Sequence, residues 1–425
     1  MVLQVKECLD AEIKLTEGSA FYSSQENMLE FLLSVNDDQM LYNFRKASGL
    51  STKDVEPMSG WDAPDNQIRG HTTGHYLSAL ALAYRATANH KVKEKAIYIV
   101  ESLEECQNSF SEQANVHEGF LSGYSEEQFD LLEKYTTYPT IWAPYYTLHK
   151  ILAGLLDCYR LVHIQKALSV AVNLGMWTWN RLSRLSHDQL TKMWSMHIAG
   201  EFGAMNAVMA ELYMITDREE FLRCAKLFDN ERLFDPMLQK KDVLGGMHAN
   251  QHIPQIIGAM KLYEATGEQK YYDIAEFFWN TVVSGHCYAN GGTGESEMFR
   301  ESGKIGALLN QSTIETCASY NMLKLTKELY QYTASVSYMD YYERTLLNHI
   351  LATQDEKETG ESTYFFPLGP GMKREFLFEN SCCHGIGMES RFKYREAVYY
   401  YDKDGNIYVN LFLRRKCPGK IGMCL

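Results

Sequence analysis

The chain lacks the features of membrane-spanning and nucleic-acid-binding proteins. None of its 425 residues belongs to an uninterrupted apolar run of about 18 residues, which a bilayer-spanning helix needs. Positive charge is also scarce: the formal net charge is -13, whereas nucleic acids and anionic membranes select positive patches. The N-terminal segment carries no basic stretch followed by an apolar core, so no signal peptide is predicted. We therefore expect a cytoplasmic protein with neither nucleic acid nor membrane as a partner.

A compact disulfide framework is absent as well. Cys158 and Cys224 fall in segments with helical periodicity, where a buried free thiol is the usual state. Such scattered cysteines in a long chain indicate a reducing compartment. The ten cysteines are spread over the whole length, at positions 8, 106, 158, 224, 287, 317, 382, 383, 417 and 424.

One helical unit returns along most of the chain. Each copy has a helix with apolar residues at steps of three and four, a tyrosine near its end, a short polar turn and a second helix. We expect the N-terminal helix and its neighbours to make a sixth copy. The five clear copies pair the segments 75–84 with 91–106, 149–159 with 166–182, 206–213 with 219–228, 253–263 with 270–283, and 320–330 with 338–352.

The loops between these copies are long and rich in His, Asn, Gly and Trp. Open solenoids usually have short, uniform loops, whereas enzymes build their sites from long ones. The pattern therefore favours an all-α domain folded as an (α/α)6 barrel of helical hairpins. After Arg395 the pattern changes, and segments 397–401 and 406–413 around an Asp-Gly turn predict a β-hairpin. A lone hairpin is marginally stable, so it must dock on the helices or join a larger sheet.

Several hairpins begin with polar residues that packing does not need. A single histidine at a helix start is usually a satisfied structural residue. The same placement in three repeats favours a shared pocket at one end of the ring axis. The residues of this set are His71, His75, His149, Glu201, Asn206, His248, Asn250 and His252.

The adjacent cysteines Cys382 and Cys383 are an unusual choice for ordinary packing. A disulfide between sequence neighbours would be strained, and two inert buried thiols remain an alternative. Glu315 and Cys317 stand just before an amphipathic helix, where the helix dipole favours anions. Three thiolates and one carboxylate make a four-ligand set of the kind that zinc accepts. The spacing matches no common zinc finger, so the residues alone predict only a thiolate-rich metal site.

A glycine-rich segment, residues 288–299, ends with two acids, Glu295 and Glu297. It has no Gly-Lys-Ser/Thr motif and no preceding apolar strand, so it is not a phosphate-binding loop. A flexible turn that presents one carboxylate suits general acid/base catalysis, and a solvated acidic loop is the alternative.

Seven strings occur in an order that resembles the β-L-arabinofuranosidases of glycoside hydrolase families 127 and 146. The resemblance covers residues 43–401, and the combination of Glu-Thr-Cys with Cys-Cys-x-Gly is its most specific part. The strings are GWDAPDNQIRGHTTGHYLSALALAYRAT, WAPYYTLHKILAGLLDCY, GGMHANQHIPQIIGAMKLYEATG, ETCASYNMLKLT, YYERTLLNHILA, YFFPLGPG and NSCCHGIGMES.

The resemblance implies a retaining exo-glycosidase that removes terminal β-L-arabinofuranosyl residues from an oligosaccharide or glycoconjugate. By motif matching, Cys382 is the nucleophile and Glu297, rather than Glu295, is the acid/base. Sugar contacts are expected from His71 and His75 and, by motif, from His149, His248, Glu343 and Tyr364. Zinc is implied as the cofactor, with Glu315, Cys317, Cys382 and Cys383 as its ligands.

The resemblance also implies that the chain is divided into two domains. Residues 1–395 would form the catalytic barrel, and residues 396–425 the β-hairpin that begins a truncated β-sandwich domain. Two alternatives stay open: a glycosidase of the same mechanism that acts on a related furanoside or deoxy sugar, and an inactive, zinc-stabilised carbohydrate-binding or scaffold protein.

Overall fold

The computed structural model describes residues 2–8, 13–355, 360–377, 379–413 and 415–416. Helices dominate this part of the chain. They are α1 (Ala20–Ser34), α2 (Asp37–Met40), α3 (Tyr42–Ser48), α4 (His71–Thr87), α5 (His90–Ser111), α6 (Glu127–Glu133), α7 (Pro144–Val162), α8 (Gln165–Leu182), α9 (His187–Trp194), α10 (Met205–Thr216), α11 (Glu219–Lys226), α12 (Glu231–Leu238), α13 (Ala249–Thr266), α14 (Gln269–Thr281), α15 (Thr316–Thr333), α16 (Val336–Asn348) and α17 (Cys382–Ser390).

Short segments of other geometry complete the description. Three turns of 3-10 helix lie at Gly60–Asp62, Ile305–Ala307 and Ile350–Thr353, and a π-helical turn lies at Val282–His286. The strands are β1 (Val5–Glu7), β2 (Lys14–Leu15), β3 (Tyr399–Asp402), β4 (Ile407–Val409) and β5 (Arg415–Lys416). No helix in the described ranges combines the length and the apolar character needed to cross a membrane.

The five predicted hairpins are confirmed, with α4, α7, α10, α13 and α15 as their first helices. Four of these helices end in the same way. A residue in the left-handed conformation donates its amide to the carbonyl of the tyrosine four positions earlier, which satisfies a carbonyl that the helix leaves free. The pairs are Ala88 with Tyr84, Asp217 with Tyr213, Gly267 with Tyr263, and Ala334 with Tyr330. The tyrosine-and-turn pattern in the sequence is therefore a helix-ending motif.

The inner helices form a closed ring, and α17 closes it. Along the ring, α4 contacts α7, α7 contacts α10, α10 contacts α13, α13 contacts α15, α15 contacts α17 and α17 returns to α4. The expected sixth hairpin differs in part from the structure. The N-terminal helix α1 packs against α4 and α5, and the sixth inner helix is the short α17. The (α/α)6 barrel is confirmed, and its sixth unit combines segments from distant parts of the chain.

Glycines allow the inner helices to approach closely. A Cβ atom at Gly74 of α4 would lie 2.3 Å from the backbone carbon of Lys150 in α7, so no larger residue fits there without displacing the backbone. A Cβ atom at Gly385 of α17 would lie 2.4 Å from the His75 ring of α4. These contacts hold α17 and α7 on either side of α4, so the N-terminal turns of the three helices lie at the same end of the barrel.

The predicted β-hairpin is confirmed, and it docks on the barrel through the N-terminal strand. The order of the larger sheet is β1-β3-β4, with all pairs antiparallel. A second pair joins β2 and β5. The sheet supplies hydrogen-bond partners that a lone hairpin lacks. The division of the chain at residue 395 and the assignment of 396–425 to a β-sandwich stay predictions, and residues 414 and 417–425 lie outside the described part.

Candidate active site and metal centre

The four predicted metal ligands meet at the N-terminal end of the inner ring. Glu315 caps α15, Cys317 lies in its first turn, and Cys382 and Cys383 begin α17. One potential donor atom from each of the four lies within 4.8 Å of the others, and all four residues are buried. The Sγ atoms of Cys317 and Cys383 are 3.0 Å apart, and Cys383 Sγ lies 3.8 Å from Glu315 Oε1. Adjacent helices of the ring thus assemble the set.

These residues fit zinc. A tetrahedral site with bonds of about 2.0–2.3 Å has donor separations of roughly 3.3–3.8 Å, so small side-chain adjustments suffice. The second carboxylate oxygen of Glu315, Oε2, is buried and has no hydrogen-bond partner among the described residues. A buried carboxylate oxygen without a partner is costly, and coordination of a cation would satisfy it.

The electrostatics of the four residues also call for a cation. Burial raises the pKa of Cys317 and of Cys383 well above the ordinary value for a thiol. Burial, followed by repulsion from Cys382, raises the pKa of Glu315 as well. Hydrogen bonds from Cys317 and Cys383 lower the pKa of Cys382 well below the usual range. A buried cluster of acids cannot ionise fully by itself, because like charges repel at low dielectric constant, whereas a divalent cation would allow it.

The glycine-rich turn presents Glu297 to this centre. Ser296 and Glu297 both have positive φ angles, 46° and 67°, a backbone conformation that is uncommon for non-glycine residues. The carbonyl of Glu297 accepts a 2.8 Å hydrogen bond from the amide of Ala249, which fixes the turn to the start of α13. The Tyr364 hydroxyl donates to the Glu297 carboxylate and lies 3.6 Å from Cys382 Sγ. One hydroxyl thus links the candidate acid/base to the candidate nucleophile.

Glu295 has a different environment. Arg300 forms an ion pair with its carboxylate at 2.6 Å, and Asn310 donates a hydrogen bond at 2.8 Å. Burial opposes ionisation, but the hydrogen bonds from Asn310 and Ser296 and the Arg300 charge outweigh it and lower the pKa of Glu295. Its carboxylate oxygens are committed to the protein, so the geometry favours Glu297 over Glu295 as a proton donor.

A cavity of about 80 Å³ lies beside Cys382. Two of the predicted sugar contacts, His248 and Tyr364, line it. His248 donates from Nδ1 to Glu201 at 2.8 Å. Burial lowers the pKa of His248, but the Glu201 charge and hydrogen bond outweigh this effect and raise the pKa to about 10. The cavity is lined by Trp61, Ile68, Trp142, Tyr146, Ile198, Glu201, His248, Asn250, Glu297, Glu315, Tyr364 and Cys382.

His71 lies next to the cavity, between Trp61 and Tyr146. Its Nδ1 atom is 3.1 Å from the Ile68 carbonyl and 3.1 Å from the Asp62 carboxylate. Nε2, on the other side of the ring, is buried without a described partner. The contact with Asp62 fixes the orientation of the ring and leaves Nε2 available for a hydrogen bond to a ligand. A hydrogen bond at one ring nitrogen generally sets the role of the other in this way.

Three predicted sugar contacts lie elsewhere. His75 is fully inside the barrel and donates from Nδ1 to Glu389 at 2.5 Å. His149 borders a different, larger cavity along the barrel axis. Glu343 lies on the outer helix α16, and its carboxylate is 3.5 Å from the amide of Phe412. The structure therefore does not bring His75, His149 or Glu343 to the cavity beside Cys382.

The cavity also contains residues that the sequence did not single out as contacts. In the sequence, Glu201 and Asn250 stand out only as polar residues at hairpin starts. Trp61 and Trp142 lie in the strings that carry the family resemblance, 81 residues apart in the chain but with ring centroids only 4.9 Å apart in the structure. The hydroxyl of Tyr146 is buried without a described partner. No local pattern distinguishes Tyr146 from its neighbour Tyr145, which packs in the core.

The fold and the site together define the class: an (α/α)6-barrel protein in which three cysteines and one glutamate that could hold a metal ion meet at one end of the barrel. The family model described as "Beta-L-arabinofuranosidase, GH127 catalytic domain" matches residues 12–396. The chain therefore belongs to the GH127 family. A search of curated proteins found no match. The finer comparison with family 146 stays a prediction.

Solved structures show the same fold. A GH127 β-arabinofuranosidase is 18% identical with a TM-score of 0.74, over 98% of this chain and 65% of that one. A GH127 β-L-arabinofuranosidase from Geobacillus stearothermophilus T6 is 15% identical with a TM-score of 0.66, over 95% of this chain and 67% of that one. A cellobiose 2-epimerase from Bacillus thermoamylovorans B4167 is 14% identical with a TM-score of 0.52, over 88% of this chain and 98% of that one. The chain spans about two thirds of the length of the two GH127 structures.

Proposed function

We propose that this protein is a retaining β-L-arabinofuranosidase that removes terminal β-L-arabinofuranosyl residues from a carbohydrate. Membership of the GH127 family supports the substrate class. The observation that carries the mechanism is the convergence of four buried donors, Glu315, Cys317, Cys382 and Cys383, on a cavity that also contains Glu297. No other cluster of such residues is found among the described ranges.

Cys382 is the proposed nucleophile. Of the three thiols, its Sγ atom is the one that borders the cavity. Its pKa is the one that is lowered, by hydrogen bonds from Cys317 and Cys383, and a thiolate is the reactive form of cysteine. The sulfur would bond to the anomeric carbon while the bond to the leaving oxygen breaks, which gives a covalent glycosyl-enzyme.

Glu297 is the proposed acid/base. Its carboxyl group would give its proton to the leaving oxygen in the first half of the reaction and take a proton from water in the second half. Two inversions at the anomeric carbon give net retention. Retaining enzymes need their two reacting groups close together, and Glu297 and Cys382 both lie within reach of the Tyr364 hydroxyl.

Glu315, Cys317, Cys382 and Cys383 would hold zinc. When bound, the ion would keep the thiols of its ligands deprotonated at neutral pH. Cys383 and Cys317 are fully buried, so they would remain ligands while Cys382 faces the sugar. This division of roles matches the exposure of the three sulfurs to the cavity.

The cavity suits one sugar ring. Its volume is about 80 Å³, which corresponds to roughly five to eight water positions. Two buried polar atoms at this end have no partner among the described residues, Nε2 of His71 and the hydroxyl of Tyr146, and the side chains of His248 and Asn250 also line the cavity. A site built to hydrogen-bond hydroxyl groups rejects analogues that lack them, because its own polar groups are then left unpaired.

The decisive experiment replaces Cys382 with alanine and, as a control, the buried Cys106 of α5 with alanine. We expect C382A to lower kcat on an aryl β-L-arabinofuranoside by on the order of 10⁴-fold or more, and C106A to remain within a few-fold of wild type. Intact mass of E297Q incubated with this activated substrate should show one pentosyl group attached at Cys382, because the base for the second step is missing.

Zinc content provides the second readout. Purified wild-type protein should hold about one zinc ion per chain, and C383A should lose it. Full activity of C382A would overturn the nucleophile assignment. Stoichiometric zinc with no hydrolysis of any furanoside would instead support the alternative of a zinc-stabilised carbohydrate-binding protein.

A further inference from the structure

Three aromatic side chains extend from the cavity towards the surface. Trp61 lies 6.1 Å from Tyr364, measured between ring centroids, and 4.9 Å from Trp142. Tyr138 continues the row with an edge-on contact to Trp142 at 5.4 Å, and it is 44% exposed. The row begins at the ring of Tyr364, whose hydroxyl donates to the carboxylate of Glu297, the proposed proton donor to the leaving group.

The two tryptophans differ from the core tryptophans in their hydrogen bonding. The indole N–H groups of Trp177, Trp194 and Trp279 each donate to a protein oxygen, at 3.1, 2.8 and 2.8 Å. Within the described ranges, the N–H groups of Trp61 and Trp142 have no such acceptor. Tryptophan usually satisfies this donor when it packs in a core. These two rings therefore offer both an apolar face and a free donor.

The backbone holds this row in place. Gly60, before Trp61, has a φ angle of 62°, and a Cβ atom there would lie 2.0 Å from the Glu379 carbonyl oxygen. Asp62, after Trp61, is fully buried and accepts a hydrogen bond from the Gly70 amide at 2.5 Å. Ala143, after Trp142, has a φ angle of 42° and caps α7. Such anchored positions suit a preformed binding surface, because little freedom is lost on binding.

The charges around the cavity limit what this surface can bind. Among the described residues that line it, none is lysine or arginine, whereas Glu201, Glu297 and Glu315 are acidic. An anionic group would meet these carboxylates, and the basic side chain that lines the cavity, His248, is already paired with Glu201. A neutral sugar ring offers an apolar face to the indoles and hydroxyl oxygens to their N–H groups.

We propose that Trp61, Trp142 and Tyr138 form the leaving-group subsite and stack on a neutral sugar that follows the terminal residue. This inference rests on the proposed function and adds the part of the substrate beyond the cleaved bond. The row makes the enzyme prefer a saccharide leaving group over a small alcohol by more than the difference in their basicity accounts for.

The test compares two substrates whose leaving groups are both alkanols: methyl β-L-arabinofuranoside and a β-L-arabinofuranosyl disaccharide of arabinose. For each variant, the ratio of kcat/KM for the disaccharide to kcat/KM for the methyl glycoside isolates the subsite. We expect W142A to lower this ratio about tenfold, Y138A about threefold, and W142F to restore most of the loss. The control F412A removes an aromatic ring that is 81% exposed on the segment after β4, and it should leave the ratio unchanged.

A ratio within twofold of wild type for W142A would overturn the subsite. Turnover of neither substrate by the wild-type protein would overturn the proposed function instead. In that case, the wild-type and W142F proteins are titrated with the disaccharide while indole fluorescence is monitored. This titration still tests whether the sugar stacks on the aromatic row. Quenching in wild type that is reduced in W142F supports the row, and no quenching in either protein overturns it.

Discussion

The metal-site end of the inner ring and the cavity along its axis differ in how their acidic groups are paired. At the N-terminal end, His71 Nε2, the Tyr146 hydroxyl and Glu315 Oε2 are buried without described partners. A cavity of about 880 Å³ runs along the axis of the inner helices, from the level of His149 towards their C-terminal ends. Every acidic residue that lines it has an ion-pair or hydrogen-bond partner: Glu7, Asp157, Glu211, Glu264, Glu328, Glu389 and Glu396.

The difference separates function from stability. Unsatisfied buried groups are costly, and a protein retains them where a ligand or metal satisfies them. Paired buried charges add no binding capacity, but they become destabilising as soon as one partner is removed. We therefore expect substitutions at the first end to change activity and substitutions at the second end to change stability.

The largest expected effect concerns Glu297. E297Q should lower kcat for substrates with alkanol leaving groups by about 10²–10⁴-fold, because the leaving oxygen loses its proton donor. The rate of glycosyl-enzyme formation should fall far less for an activated aryl glycoside, because its leaving group departs without protonation. Steady-state and pre-steady-state kinetics on both substrates measure this difference.

E295Q is the matched control for that prediction. Its carboxylate is bound to Arg300 and Asn310, so the variant should show no dependence on the leaving group. A leaving-group dependence in E295Q and none in E297Q would reverse the assignment.

The next effect concerns Glu396, at the opposite end. Arg85, Lys327 and Lys393 surround its carboxylate, and Lys327 Nζ lies 2.7 Å from it. E396Q should lower the free energy of unfolding by about 3–5 kcal/mol, because three partly exposed cations lose their common buried partner. Urea unfolding followed by circular dichroism measures it, and kcat below the transition should stay within a few-fold of wild type.

E264Q provides the comparison for Glu396. Its side chain is 45% exposed and pairs with Lys261, so the loss should stay below about 1 kcal/mol. Equal destabilisation by the two variants would contradict the view that buried pairing is what stabilises this end.

The smallest effect depends on pH and concerns Glu389, which accepts hydrogen bonds from His75 and, at 2.8 Å, from the Tyr320 hydroxyl. Burial opposes its ionisation, but His75 and nearby lysines lower its pKa from 4.5 to about 2. A carboxyl group with a lowered pKa stabilises the fold fully above its unfolded value and loses this contribution as pH falls through the folded value. The stabilisation, about 3 kcal/mol, should therefore disappear between pH 4.5 and about 2.

Unfolding of wild type and E389Q at pH 7, 4.5 and 2.5 measures the gap between the two proteins. The gap should narrow as the pH falls from 4.5 to 2.5, whereas E94Q, on the exposed side of α5, should match wild type throughout. A gap that is independent of pH would show that Glu389 acts through packing rather than charge.

Sequence patterns predicted the hairpins well, because helical periodicity and the tyrosine-turn ending are local. They predicted less well how far each site residue lies from the end of the barrel. His71 is the first residue of α4, and His75 lies one helical turn further, about 6 Å along the axis. His149 is likewise more than a turn inside α7, while His248 caps α13. From the sequence, a histidine near a helix start could lie either at the end of the barrel or inside it, and the pattern did not tell these two cases apart.

By itself, the sequence determined the repeated helical unit and the supply of thiolates and carboxylates for a metal site. Only the tertiary structure decided that α17 closes the ring between α15 and α4, which brings Cys383 to 3.0 Å from Cys317 across 66 residues of chain. It also decided that Trp61 and Trp142 share one wall. The physical reason is that periodicity reports which face of a helix is apolar, whereas its neighbour is chosen by long-range packing and by the close contacts that Gly74 and Gly385 permit.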